Sequence, residues 1–264
     1  NTALGATTLD ANTTGENNTA LGWGSLTAAT TASNNVAVGS IALYVNTTGA
    51  NNTAVGMEAM RYNTTASNNT AVGKGALSAN TTGSQNTALG ATTLDANSTG
   101  ENNTALGWSA LTASTTGSGN TAVGSVSLFV NTTGASNVAV GQEALRYNTT
   151  ASNNTAVGFQ SLIFNTTGVS NTAVGYGSLD ANTTASNNTA VGINSLGSNT
   201  TGAENLAVGS NASYSNQTGN GITAVGGSTL CTKCFFSSDC AADIARIIYR
   251  HSQASLLFGV LGFW

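Results

Sequence analysis

The pentapeptide Asn1-Thr2-Ala3-Leu4-Gly5 returns every 17 residues without slippage. It comes back as Asn18-Thr19-Ala20-Leu21-Gly22 and as Asn35-Val36-Ala37-Val38-Gly39, and it keeps that register to Asn205-Leu206-Ala207-Val208-Gly209. A degenerate copy, Ile222-Thr223-Ala224-Val225-Gly226, follows. Thirteen full units and a fragment share the pattern N-T-A-[VL]-G-x-x-[AST]-L-x-x-N-T-T-[GA]-x-[NS], whose places are numbered 1 to 17 below. Residues 1–17 and 86–102 differ only at Thr13/Ser98, so a second period of 85 residues, or five units, lies over the first. The array reads as a product of duplication in blocks.

A period of 17 removes most repeat architectures. Helical repeats run from about 33 to 47 residues, and leucine-rich repeats start near 20. Glycine at place 5 and Asn-Thr-Thr-Gly at places 12–15 are poor helix-interior choices. Collagen needs Gly at every third residue and is rich in Pro, whereas this chain has none. Two short extended segments per unit, one at Thr-Ala-Val of places 2–4 and one around Leu at place 9, joined by Gly- and Asn-bearing corners, predict one coil of an all-β parallel β-solenoid, or β-roll. Two large apolar side chains per coil, such as Val38 and Leu43, contribute about 3–6 kcal/mol on burial. Fixing each backbone residue costs roughly 1–2 kcal/mol, so a lone coil cannot fold and must stack. At about 4.8 Å per coil the stack predicts a rod on the order of 60 Å long.

The units also sort residues by role. Place 3 is always Ala, which fits a narrow interior or the close approach of another chain. Place 5 is always Gly, which points to positive φ or tight backbone contact. Place 9 is Leu except at Met60 and Ser213, a core pattern. Place 12 is Asn apart from Ala29, Ser114 and Lys233, which predicts a stacked amide ladder. Places 6, 7, 10 and 11 vary, with Trp23, Met57, Lys74, Trp108, Phe159 and Tyr176 all at place 6. That strip is the expected recognising surface.

Read with its preceding residue, Asn17-Asn18-Thr19-Ala20-Leu21-Gly22 resembles the N-S-V-A-I-G motif of trimeric autotransporter adhesin heads. Thr47 to Asn52, as Thr-Thr-Gly-x-x-Asn, resembles the second half of that motif. The full unit is similar to N-T-A-V-G repeats of phage tail fibres and related bacterial surface fibres. The resemblance covers residues 1 to about 230, although the adhesin unit is three residues shorter. It implies a left-handed parallel β-roll, three chains associating along their length, and adhesion or receptor reach as the role.

Composition narrows function further. Only 6% of residues are charged, the net charge is −4, and Arg61, Lys74 and Arg146 are the only basic residues before Lys233. That excludes an electrostatic nucleic-acid binder. A single histidine, His251, leaves little for acid–base catalysis, so no enzyme, catalytic residue, cofactor or metal is expected. Asp10, Asp95 and Asp180 recur five coils apart, about 24 Å, too far for a paired-carboxylate site. Glu58/Arg61 and Glu143/Arg146 read as solvated pairs. Adjacent Thr13 and Thr14 would face opposite sides of a strand, against the two outward threonines that an ice-ordering face wants.

Sequons are frequent, and they nominate Asn12, Asn46, Asn63, Asn80, Asn131, Asn148, Asn165, Asn182 and Asn199 as glycan acceptors. Asn17 begins another. Neighbouring coils about 4.8 Å apart leave no room for a sugar on each, and corner chemistry accounts for Asn-Thr-Thr without glycans.

From residue 231 to 264 the composition changes, so the domains divide into a 1–230 shaft and a 231–264 C-terminal cap or assembly segment. Cys231, Cys234 and Cys240 suit one disulfide and a free or intermolecular thiol. With His251 they also give a loose zinc-like spacing. Ser238 or Asp239 caps an expected short helix through Ile244, Ile247, Ile248 and Tyr249. The apolar run containing Leu256, Leu257, Phe258, Phe263 and Trp264 is too short for a bilayer-spanning helix and is expected to cover the last coil or a neighbouring subunit. The array opens on a full unit at Asn1 with no Met, as a processed chain or a fragment would. The expected role is a non-enzymatic extracellular, cell-surface or virion fibre mediating attachment. Its expected partners are itself, as a homotrimer or head-to-tail polymer, and a receptor or glycan, with no nucleic acid and no membrane span. A head-to-tail structural filament and an ice- or carbohydrate-binding solenoid are the alternatives.

Overall fold

The structure is a computed structural model and describes residues 1–229. Each unit contributes one three-residue strand, from β1 (Thr2–Leu4) to β14 (Thr223–Val225). The fourteen strands form a single parallel sheet in sequence order. Register advances by one whole unit per coil, so Ala20 pairs with Ala37 and Ala156 with Ala173. The described chain is therefore an all-β parallel β-solenoid of 17-residue turns. The expected short helix and the residues nominated beyond 229, namely Cys231, Cys234, Cys240, His251, Leu256, Leu257, Phe258, Phe263 and Trp264, lie outside the described residues.

Stacking is carried by the backbone. In coil after coil the amide of place 2 donates to the place-1 carbonyl of the next coil, as in Thr70 to Asn86 O at 2.9 Å. Amides of places 5, 7, 9, 11, 13 and 17 make similar bonds, among them Gly90 to Val72 O (2.8 Å) and Leu77 to Thr93 O (2.9 Å). These bonds satisfy groups that would otherwise be buried unpaired.

The second extended segment expected around place 9 is not a strand. Places 7 and 9 both hold positive φ, as at Thr92 (52°) and Leu94 (52°), or Glu143 (61°) and Leu145 (51°). Tight turns bracket them within the coil: Ala76 N donates to Gly73 O, and Asn80 N to Leu77 O, both at 3.3 Å. The corner thus reverses the chain through two left-handed residues rather than through an extended arm.

Inside the coil sit the alanines of place 3 and the leucines of place 9, together with the small residues of place 8. Ala71, Ala105, Leu77 and Leu111 are completely buried. Strand side chains alternate between the two sides, so Thr at place 2 and Val or Leu at place 4 face outward. Val38, expected in the core, is therefore half-exposed, and most coils bury one large apolar side chain rather than two. The constant Ala is thereby explained within a single chain: it is the interior of a narrow coil that has no room for more.

Candidate functional site on the outer face of the coil

Two columns of asparagine hold the coil in register. At place 12 the expected ladder forms. Asn63 Nδ2 donates to Asn46 Oδ1 at 2.8 Å, and Asn80 and Asn97 continue the chain at 2.9 Å each. Asn148, Asn165 and Asn182 form a second run on Asn131. Each Nδ2 also donates to the place-15 carbonyl of its own coil, as Asn148 does to Ala151 O at 2.9 Å. The second column, at place 1, escaped the sequence reading although Asn fills it in all thirteen full units. There the Oδ1 accepts the backbone N–H of the next coil's Asn, as Asn69 Oδ1 does from Asn86 N at 2.8 Å. Its Nδ2 reaches the place-15 carbonyl of its own unit, fourteen residues on, as Asn86 does to Gly100 O at 2.8 Å.

The nominated glycan acceptors fall in the place-12 ladder. Asn46, Asn63, Asn80, Asn131, Asn148, Asn165, Asn182 and Asn199 are fully buried, and Asn12 is half-buried. The nitrogen that would carry a sugar donates to the place-15 carbonyl of its own coil and, where the preceding coil also has Asn, to the ladder, so a glycan there is incompatible with the closed coil. The sequons at place 17, which include Asn17, Asn51, Asn68, Asn102, Asn153 and Asn187, are exposed instead.

Threonine hydroxyls at place 13 are likewise occupied. Thr64 Oγ1 donates to Thr81 O at 2.9 Å, and Thr149 Oγ1 to Thr166 O at 3.0 Å. On the strand the outward pair is Thr with Val or Leu, not Thr with Thr.

The variable strip stands outside. Trp23 and Trp108 are 58% and 61% exposed, and Met57, Lys74, Phe159 and Tyr176 are exposed at the same place in other coils. Equal places in successive coils bring like side chains face to face. Phe159 and Tyr176 stack with ring centroids 5.6 Å apart, and so do Tyr147 and Phe164 at place 11. The sequence reading placed these residues on a varying strip without pairing them. The signal was available, because aromatics at one place in consecutive units must be about one coil spacing apart.

Charges sit on the same side. Arg146 meets Glu143 at 2.8 Å and Arg61 meets Glu58 at 3.7 Å, each pair about a third exposed or less. Both guanidinium groups lie over the following tyrosine, at 4.9 Å from the Tyr62 centroid and 5.1 Å from that of Tyr147. Burial, with the Glu58 charge nearby, holds the Asp95 carboxyl above the usual carboxylate range. Burial also raises Asp180, opposed by the Ala181 N–H that it accepts at 2.9 Å. Among the described residues, no three His, Cys, Asp or Glu side chains gather as a metal site would need. No helix there is long and apolar enough to cross a membrane.

Fold and surface together define a tandem-repeat β-solenoid with a constant interior and a changing exterior. No family model, curated protein or solved structure matches the chain.

Proposed function

We propose that the chain is the shaft of a non-enzymatic fibre, displayed on a cell surface or virion, that mediates attachment through its outer face. One observation carries this reading. The residues that hardly change from coil to coil (Asn at places 1 and 12, Ala at 3, Gly at 5 and Leu at 9) build the interior and its contacts, whereas the aromatics and charges that do change are exposed. Such an arrangement presents different side chains on one rigid, evenly spaced support. The resemblance to adhesin heads and tail-fibre repeats points the same way. Electron microscopy of native particles tests it: thin projections labelled by antibody to the array are expected, and exclusive labelling of the cell interior would count against it.

A specific observation also favours association of copies along their length. The outward side chains of place 4 make an apolar ribbon, with Leu21, Leu89 and Leu106 each more than 40% exposed. Contiguous apolar surface of this kind marks an interaction face. A Leu89→Lys, Leu106→Lys double variant is expected to shift the sedimentation coefficient towards that of the monomer. A wild-type chain that already sediments as a monomer would remove the idea.

A further inference from the structure

Tyr147 and Phe164 occupy place 11 of consecutive coils, and their ring planes are within 6° of parallel. Tyr147 covers one face of Phe164. On the other side the next coil offers only Ala181 at that place, so the stack stops at two rings and Phe164 remains 50% exposed. A depression of about 510 Å³ runs beside the two rings and on to Ala181, lined by Tyr147, Phe164, Thr166, Ala181 and Thr183.

The walls define what would fit. Thr166 Oγ1 and Thr183 Oγ1 direct their hydrogens to the carbonyls of Thr183 (3.0 Å) and Thr200 (3.4 Å). That leaves an apolar lining beside the rings. Arg146 lies over Tyr147, but its charge is matched by Glu143. Asp180, next to Ala181, adds a carboxylate that disfavours an anion. Parallel aromatic rings attract in offset stacks with centroids about 4.5–7 Å apart, a range that includes the coil spacing.

We infer that this depression binds an uncharged planar aromatic ring, which stacks on Phe164 over Ala181 as the third ring of the column. The inference rests on the attachment reading only for its biological use. Ring binding is measured on the isolated chain and attachment on particles, so either can fail alone.

The test is a titration of the full chain with indole, followed through the methyl signals of Ala181 and Thr183. Saturable shifts at these methyls are expected. Phe164→Ala should weaken binding about tenfold. Ala181→Phe should fill the slot and so abolish the saturable shift at Thr183, moving it to Thr200 beside Ser198 in the next coil, with an unchanged or raised melting temperature showing that the coil is intact. The duplicated block has Tyr62 and Ala79 where this one has Tyr147 and Phe164. Ala79→Phe is therefore expected to create a second indole site beside Ala96, and failure to do so counts against stacking as the cause. An indole shift retained at the Thr183 methyl in both Phe164→Ala and Ala181→Phe, or cyclohexanol binding as tightly as indole, would overturn the proposal. The tripeptide Gly-Trp-Gly separates the sources: binding at least as tight as indole assigns the ring to a polypeptide, and binding of indole alone assigns it to a small molecule.

Discussion

Asn97 and Ser114 show what one side chain does in a coil of this kind. The amide ladder is closed wherever place 12 carries Asn in consecutive coils, and it breaks at Ala29 and Ser114. Each break leaves the Oδ1 of the preceding coil, in Asn12 and Asn97, buried without a partner, and Ser114 Oγ is orphaned as well. A buried unpaired polar atom costs about 1–3 kcal/mol. Ser114→Asn supplies an amide that donates to Asn97 and accepts from Asn131, so it should stabilise the chain by roughly 1–3 kcal/mol in denaturant titration. A destabilised variant would show that the corner cannot hold the larger side chain. This ladder was legible because an Asn that stays constant directly after two freely varying places signals a contact between stacked coils. The place-1 column was equally constant and went unread, since its bonds run to backbone groups far off in sequence, the next coil's amide and the place-15 carbonyl of its own unit. Asp95 carries a pH prediction at the same scale. Its folded-state pKa lies above the ordinary 3.8 through burial and Glu58, so the folded chain binds more protons there than the unfolded one. Its contribution to stability therefore falls as pH rises from 3.8 through the raised value and is constant beyond it. Asp95→Asn should gain melting temperature over wild type across that window and hold the gain at neutral pH. A difference independent of pH would mean that the carboxyl is not perturbed in the fold.

The strand and the corner were not equally readable. Thr-Ala-Val at places 2–4 combines β-branched residues with Gly at the next place, and the strand lies there in every coil. The corner at places 7–9 misled because Leu is not a residue that announces positive φ, which for L-residues costs roughly 1–2 kcal/mol each. Cross-coil bonds and burial of that Leu hold it there, and neither shows in local propensity. The same oversight put Val38 in the core: with only three strand residues, the alternation assigns one of them inward, and Ala takes that place. Place 5 is where the element tolerates least. Gly90 has φ of +135°, and a Cβ there would lie 2.6 Å from Gly107 O. Gly75, at place 7, has φ of +65° and meets nothing closer than 3.9 Å. Gly90→Ala should therefore cost roughly 2–4 kcal/mol, while Gly75→Ala costs about 1 kcal/mol. Equal losses in thermal unfolding would show that backbone strain alone, without the clash against the next coil, sets the penalty for a side chain.

At the scale of the whole molecule, each strand hydrogen-bonds only to the strands of the coils before and after it, so the array behaves as a one-dimensional stack. Its integrity should then depend on keeping the period rather than on any one coil. Deleting residues 69–85 removes one whole unit and joins Asn68 to Asn86, a junction that matches the Asn68–Asn69 step. The strand alternation continues, and the place-12 ladder passes from Asn63 to Asn97 without a gap. This variant should unfold in one transition, with a maximum dimension in small-angle scattering shorter by about 4.8 Å. Deleting residues 69–84 removes one residue fewer and leaves Gln85 as an extra residue before Asn86. The coil across the junction then has eighteen residues, and a slip of one place along a strand turns inward what faced outward, so Ala88 would give way to Thr87 or Leu89. A single inserted residue can be absorbed as a local bulge at a corner. The outcome that register control predicts is a loss of cooperativity, with the coils before and after the junction melting separately. If both deletions unfold alike in one transition, the corners are more forgiving than the ladders imply, and constancy of the 17-residue period would have to be ascribed to duplication history rather than to packing.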